Sequence, residues 1–348
     1  MRHQANYATA HDIARESGSS LSTVTKVLRG DGDRYGIRAE TQTKIREVAD
    51  ALSYRPHVLA QSLRKGTSNF VAVVGSAGKF PIRAMRQHAA ASELVSHGYR
   101  VHLYDFGWDT GRRRELLQEI ESLRPMGLLV SELTTPETVE HVRQMAHRGL
   151  PVVGLDLLPD LDIDQVFIDR ELAGYLPTRH LLELGHREIA YAISEGEGWY
   201  IRNRVQGFQR ALKEEGVRFQ ERCLIRLPRR DSSQRAGYEI VTSGAVNFAK
   251  TTALMTLNDQ VALGAFRSCF EKGIRIPEDL SLVGGEDLPE AEFFPVPLTT
   301  VRFPVDEVAK TAVALLLERS KGRTGKPEHI RVPPVLVIRK SSRRMKPD

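Results

Sequence analysis

Apolar residues recur at helical spacing along the first fifty positions. In 10–17, Ala10, Ile13, Ala14 and Ser17 share one face, the spacing of an amphipathic helix. Thr9 precedes that run and Asp12 stands three residues later, where a capping-box acid belongs. Gly18-Ser19 breaks the helix, and Ser20 is placed to cap a second one reaching about Leu28. Val24, Val27 and Leu28 give it an inward stripe, which turns Leu21, Ser22, Thr25 and Lys26 outward. Gly30 to Gly36 (GDGDRYG) reads as a turn-rich loop, and a third helix over 39–52 is expected to bury Ile45, Val48, Ala49 and Leu52. Three short helices with a tight glycine turn between the first two make a helix-turn-helix pattern. The second helix of such a unit enters the major groove of DNA with its N-terminal residues toward the bases. A small helical bundle used for protein contacts has the same pattern.

Ser53-Tyr54-Arg55-Pro56 stops the third helix, because proline lacks the N–H that would continue it. The next segment, 57–64 (HVLAQSLR), has the composition of one short helix, too short to be stable in water without a surface to fold on. KGTSN over 65–69 then leads into a strand.

Beyond that point the pattern changes to continuous apolar runs, expected as strands at 70–74, 101–104, 127–130, 152–155, 188–193, 252–257, 280–284 and 335–338. Amphipathic stretches lie between several of them, at 83–96, 112–123, 172–184, 204–215 and 260–272. Buried strands alternating with helices of 10–15 residues mean βαβ units and a parallel sheet. About 270 residues exceed what one such sheet carries, so two lobes are expected. Two connections are candidates for the crossing between them: 157–168, and the Pro- and aromatic-rich 287–303.

Composition narrows the class. Hydrophobic residues make up 41% and charged residues 27% of the 348, the balance of a soluble globular chain rather than a disordered one. No apolar run reaches the roughly 18–20 residues that cross a bilayer, and the first residues lack the apolar core of a signal peptide. A cytoplasmic protein without membrane partners is expected. Cys223 and Cys269 have no CxxC spacing, which argues against a disulfide framework or a thiolate metal site. Residues 1–69 hold 11 Lys/Arg against 7 Asp/Glu, and 339–348 hold five against one, so the remainder is near neutral. The basic surplus at the N-terminal unit suits a polyanion partner on a body with another task.

The segments HDIARESGSSLSTVTKVLRG and TQTKIREVADALSYRPHVLAQSLRKGTSNFVAVV resemble the LacI/GalR family of bacterial transcription regulators. The resemblance continues through LGHREIAYAI, NRVQGFQRAL, LNDQVALGAF, IPEDLSLVGGEDLPE and PLTTVRFPVDEVAKTAVALLLER, essentially the whole chain. It implies an all-α helix-turn-helix domain (1–55), a hinge helix and linker (56–69), a two-lobed α/β periplasmic-binding-protein-like domain of two Rossmann-like parallel sheets (70–340), and a basic tail (341–348). It implies that Leu21, Ser22 and Lys26 face bases and that Ser20, Thr23 and Thr25 face the DNA backbone. Lysine at position 26 lacks the bidentate fork of the arginine usual there. Leu63 falls where the family wedges a leucine into the minor groove, with Ala60 and Arg64 beside it, and such a wedge kinks the duplex.

In the body, the resemblance matches Arg204 and Asp259 to effector-binding positions, and Asp156, following a strand, is a further candidate. Arginine donates a fork of hydrogen bonds to hydroxyls or a carboxylate. Asp259 could accept from sugar hydroxyls or cap the following helix. Lys79-Phe80-Pro81-Ile82 replaces the family's usual Ser-Asn-Pro-Phe, and Asp169-Arg170 replaces its frequent Asp-Asn. Lys79 and Arg170 add positive charge near the expected cleft, beside Phe80. Trp199 and Tyr200 could stack on a sugar ring or pack as a lid. The implied protein is a homodimeric, metabolite-controlled regulator of a near-palindromic operator, its effector a sugar or related, even acidic, compound. A soluble sugar-binding protein that has lost specific DNA binding is the alternative.

Enzyme signals are weak. Gly75-Ser76-Ala77-Gly78-Lys79 lacks the spacer and the Ser/Thr of a phosphate loop. There is no GxGxxG, no GxSxG and no HExxH. No catalytic residue, cofactor or metal is expected.

Overall fold

The computed structural model describes residues 8–54, 70–78, 80–107, 109–133, 135–195, 198–228 and 233–345. The 57–64 segment with Ala60, Leu63 and Arg64, the 65–69 linker, and Lys79 lie outside the described residues. The chain divides into two compact units, Met1–Ser68 and Asn69–Asp348.

The first unit has three helices, α1 (Ala10–Ser17), α2 (Leu21–Leu28) and α3 (Ala39–Ala51). Thr9 and Asp12 form the expected capping box, the Thr9 N–H donating to Asp12 at 2.9 Å. Gly18, at φ 66°, ends α1 in the left-handed conformation that glycine adopts at no steric cost. Ile13, Val24, Val27, Ile45 and Ala49 form the core, as their spacing requires, with Val48 and Leu28 half-buried against it. Leu52 is a correction. It sits past the last turn of α3 as its C-cap and is exposed. The 30–36 loop is also more ordered than its glycines suggest, with a 3₁₀ turn at Asp33–Tyr35.

The second unit has two lobes. The first is a six-stranded parallel sheet: β1 (Phe70–Gly75), β2 (Arg100–Asp105), β3 (Gly127–Val130), β4 (Val152–Gly154), β5 (Asp164–Ile168) and β11 (His329–Val332), in the order β11-β5-β4-β3-β1-β2. Helices α4 (Pro81–Ser96), α5 (Thr110–Ser122), α6 (Pro136–His147) and α11 (Val305–Ser320) cover it. Alternate residues of β1 feed opposite cores. Val71 and Val73 meet Leu94 and Leu316, while Ala72 and Val74 meet Leu117 and Met145. Burial on both faces is why such strands read as unbroken apolar runs. The second lobe is a four-stranded parallel sheet, β7-β6-β8-β9, from β6 (Ile189–Ser194), β7 (Leu224–Leu227), β8 (Ala253–Thr256) and β9 (Ser281–Val283). Helices α7 (Arg170–Glu183), α8 (Trp199–Glu214), α9 (Gln234–Thr242) and α10 (Asp259–Glu271) pack on it. An antiparallel pair, β10 (Thr300–Arg302) with β12 (Val335–Val337), runs between the lobes.

Of the two candidate crossings, 287–303 passes from Ala291, Phe294 and Leu298 in the second core to Val301 and Phe303 in the first. The other is a correction. Residues 164–168 are an interior strand of the first sheet, and the chain leaves that lobe after Asp169. The polar start of this strand hides it in the sequence. Asp164 is buried because Arg319 donates to both its oxygens, at 2.6 and 2.9 Å, and the Glu328 N–H donates at 2.8 Å. The expected tail from 341 is likewise not free. Ser341 is fully buried and donates to the Leu282 carbonyl at 2.6 Å, and Arg343 donates to the Pro277 carbonyl at 3.1 Å.

Candidate functional site

The two lobes face each other across a cavity of about 380 Å³. Its walls come from carboxyl ends of strands: Ser76 after β1, Glu132 after β3, Asp156 after β4, Arg170 after β5, Leu257 and Asn258 after β8, and Glu286 after β9. That is where ligands bind in open parallel sheets. The first turns of α4, α7 and α8 also reach it, and helix N-termini add partial positive charge.

Helix α8 carries Arg204. Gly174 of α7 and Gly207 of α8 let these two helices touch backbone to backbone. A Cβ on Gly207 would lie 1.9 Å from the Glu171 carbonyl oxygen, and one on Gly174 would lie 2.0 Å from that of Arg204. This contact sets the depth at which Arg204 enters the cavity. Its side chain is 4% exposed and, among the described residues, has no hydrogen-bond or ion-pair partner. Its guanidinium lies 5.4 Å from the centre of the Phe303 ring, with that of Arg170 at 4.6 Å.

Among the described residues, five arginines line the cavity (83, 86, 113, 170 and 204) against three acids (Glu132, Asp156 and Glu286). Buried Arg86 bridges Glu132 and Asp156, reaching Asp156 at 3.0 Å. Burial alone would lower the Arg86 pKa, but these two carboxylates outweigh it and raise it. Burial likewise pushes Asp156 up, and Arg170 and Arg86 pull it below the usual carboxylate range. Burial brings Arg170 down to about 10, helped by its neighbours Arg204 and Arg86, so it stays charged at neutral pH. Glu286 is pushed up to about 7 by burial, against the pull of Arg204 and Arg170. Glu132 and Glu286 both adopt positive φ, 54° and 98°. For non-glycine residues such strain persists only where the surroundings enforce it.

Among the sequence candidates, the structure brings Arg204, Phe80, Asp156, Arg170 and Trp199 to this cavity. Asp259 is a correction. It does not line the cavity but is buried behind it, taking the Leu288 N–H at 2.7 Å and sharing a 2.6 Å hydrogen bond with Thr300. Asn258 rather than Asp259 caps α10, accepting from the Val261 N–H at 2.9 Å, and it is Asn258 that faces the cavity. Sequence reasoning missed Arg83, Arg86, Arg113, Glu132, Glu286 and Phe303. For Glu286 a signal existed, since GGED directly follows a strand, as Asp156 does. For the arginines, helical periodicity gives only a polar face.

In the first unit, Leu21 and Ser22 are exposed on α2. The Ser20 hydroxyl accepts from the Thr23 N–H at 3.1 Å and shares a 2.9 Å hydrogen bond with the Thr23 hydroxyl. Thr25 donates its hydroxyl to the Leu21 carbonyl at 2.7 Å. In that rotamer it has no proton left for a phosphate, which only accepts. Lys26 lies with its ammonium 4.3 Å from the centre of the Tyr35 ring.

Residues 9–57 match the family described as bacterial regulatory proteins, lacI family, and residues 178–342 match the periplasmic binding protein-like domain. The HTH-type transcriptional repressor PurR of Mannheimia succiniciproducens is 30% identical over 341 residues, 97% of this chain and 99% of the relative. The chain belongs to the LacI family. It is a DNA-binding transcription regulator, and the reading as a sugar-binding protein without that role is set aside. Among solved LacI-family structures, the lac repressor dimer bound to operator and the anti-inducer ONPF is similar over 97% of this chain and 99% of that one, with a TM-score of 0.81 and 25% identity. A LacI-family regulator from Enterococcus faecium with bound ribose is similar over 79% of this chain and 100% of that one, with a TM-score of 0.68 and 25% identity. Among the described residues of this LacI-family chain, no helix is long and apolar enough to cross a membrane, and no group of three or more His, Cys, Asp or Glu could hold a metal.

Proposed function

We propose that this LacI-family protein is a homodimeric cytoplasmic repressor of a near-palindromic operator, controlled by a small anionic metabolite in the cavity between its lobes, a sugar acid or a related acidic compound. The carrying observation is the excess of arginine over carboxylate among the described residues of the cavity, with Arg204 buried and, among those residues, without a hydrogen-bond or ion-pair partner. A buried charge left unpaired is costly, and an anionic ligand taking two parallel hydrogen bonds from the guanidinium removes that cost. The cavity volume falls at the low end of the roughly 300–1,000 Å³ of small-molecule sites. Phe80, Trp199 and Phe303 add aromatic rings to the lining, and ribose in the Enterococcus faecium relative supports a sugar-like frame.

On DNA, Leu21, Ser22 and Lys26 meet base edges and Ser20 and Thr23 the phosphates, with Thr25 joining them after a change of rotamer. Ala60, Leu63 and Arg64 engage the minor groove. The protein holds its ligand without transforming it, in keeping with relatives that are repressors.

The test is calorimetry with matched neutral and acidic sugars, wild type beside Arg204→Gln. Acidic members are expected to bind wild type and to lose affinity in the variant. Binding confined to neutral sugars overturns the anionic reading. Selection of bound duplex from a random pool, with and without the bound acid, then gives the operator and the sign of control.

A further inference from the structure

The loop between the second and third helices of the first unit is built as a platform. Gly32 presses on the third helix, where a Cβ would fall 2.3 Å from the Gln42 side-chain oxygen. Gln42 is buried and donates to Asp33 Oδ1 and to the Ile37 carbonyl, both at 2.8 Å. The Asp31 N–H donates to the Lys26 carbonyl at 3.0 Å, and the Tyr35 N–H donates to the Asp31 carbonyl at 3.2 Å. Gly36, at φ 64°, closes the 3₁₀ turn with a hydrogen bond to Asp33. The loop is therefore tied to the recognition helix at one end and to the third helix along its length.

What this platform presents is Tyr35, 53% exposed. One face of its ring has the Lys26 ammonium at 4.3 Å, and the Arg34 guanidinium lies 5.9 Å from its centre. Among the described residues no carboxylate pairs with Lys26. Tyr35 lies outside the hydrophobic core of this unit, and a lysine at this position is a point charge on four rotatable bonds. Unlike an arginine fork, it carries no geometry of its own for choosing a base. A ring fixed beside its ammonium supplies that geometry by limiting where the charge can reach.

We propose that Tyr35 is a positioning residue for sequence recognition, holding Lys26 so that it reads one base position. The inference rests on the reading of Lys26 as a base-contacting residue. The test measures full-length protein on its selected operator, on operators changed at single positions, and on random duplex. The proteins are wild type, Tyr35→Leu, Tyr35→Phe, Lys26→Met and the Tyr35→Leu/Lys26→Met double variant. Tyr35→Leu is expected to weaken selected-operator binding by about two- to fivefold, the range of an exposed cation–π contact. The loss should be confined to the base position that Lys26→Met also relaxes, with random-duplex affinity unchanged. Tyr35→Phe keeps the ring face and should behave as wild type. Adding Tyr35→Leu to Lys26→Met should have no further effect, because the cycle then has no contact left to remove. Without DNA, the ε-methylene protons of isotope-labelled Lys26 should lose their ring-current shift in Tyr35→Leu and keep it in Tyr35→Phe.

If Lys26→Met leaves base preference intact, the base-contacting reading of Lys26 fails and the inference fails with it. If Lys26→Met relaxes preference but the two substitutions are additive, only the inference is overturned. The same holds if Tyr35→Phe is as damaging as Tyr35→Leu, or if the Lys26 shift ignores the ring.

Discussion

Asp259 and Thr300 share a 2.6 Å hydrogen bond that ties the start of α10 in the second lobe to β10, the strand leading back to the first. Burial raises the Asp259 carboxyl to about 8, while the Thr300 hydroxyl donates to one of its oxygens and the Leu288 N–H to the other. Asparagine keeps the acceptor for the Leu288 N–H and presents an amide N–H to the Thr300 hydroxyl oxygen, which accepts once its own proton turns away. Asp259→Asn should therefore be close to wild type in stability. Asp259→Ala should cost about 1–3 kcal/mol by stranding the Leu288 N–H, read by urea unfolding. A large loss of effector affinity in Asp259→Asn at unchanged stability would restore Asp259 as a ligand contact.

Glu286 is expected to give effector binding a pH dependence. Its carboxyl, raised to about 7 by burial, is a like charge beside an acidic ligand once ionised and a neutral hydrogen-bonding group once protonated. Affinity for an acidic effector is expected to rise as pH falls through about 7. In Glu286→Gln this dependence should flatten, with affinity held at the low-pH level. Calorimetry at several pH values decides it, and a wild-type affinity that climbs with pH refutes the assignment.

The C-terminal segment is pinned by two buried histidines. His186 shares hydrogen bonds with the Thr252 hydroxyl at 2.9 Å and the Arg343 carbonyl at 3.1 Å, and His180 shares one with Ser342 at 2.9 Å. Burial lowers both pKa values below the ordinary 6.5. The unfolded chain then takes up protons that the folded chain refuses, so the histidines' contribution is present above 6.5 and lost as pH falls toward their folded values. Wild type should lose stability relative to His186→Asn as pH drops below that point. Parallel pH curves for the two proteins would exclude this source.

Leu63→Ala is expected to reduce affinity for the selected operator much more than for random duplex, because a wedge matters only where the groove is opened for it. Equal losses on both duplexes would remove the minor-groove wedge from the proposed mode of binding. The comparison needs a salt series, since phosphate contacts weaken steeply with salt.

The first unit was legible in the sequence because its determinants are local. Thr9, Asp12, Gly18 and Ser20 act within one turn of themselves, and the helical spacing that carries Ile13 in α1, Val24 and Val27 in α2 and Ile45 in α3 needs only each helix to become a face. The alternating strands and helices of the second unit were legible for the same reason. Strands 164–168, 224–227, 300–302 and 329–332 were not. A buried Asp164 reads as a loop until Arg319, 155 residues away, is folded against it.

The site divides in the same way. By itself the sequence determined the positions that follow strands or open helices, and so pointed to Arg204, Asp156, Arg170, Phe80 and Trp199. The tertiary structure alone decided that Asn258 turns to the cavity while Asp259 turns to Thr300, and that Arg83, Arg86, Arg113, Glu132 and Glu286 converge there. A residue's spacing fixes the face of its own element. Which charge it meets depends on where the other elements carry theirs, and here those partners lie tens of residues away, 46 for Arg86 with Glu132 and 70 for Arg86 with Asp156.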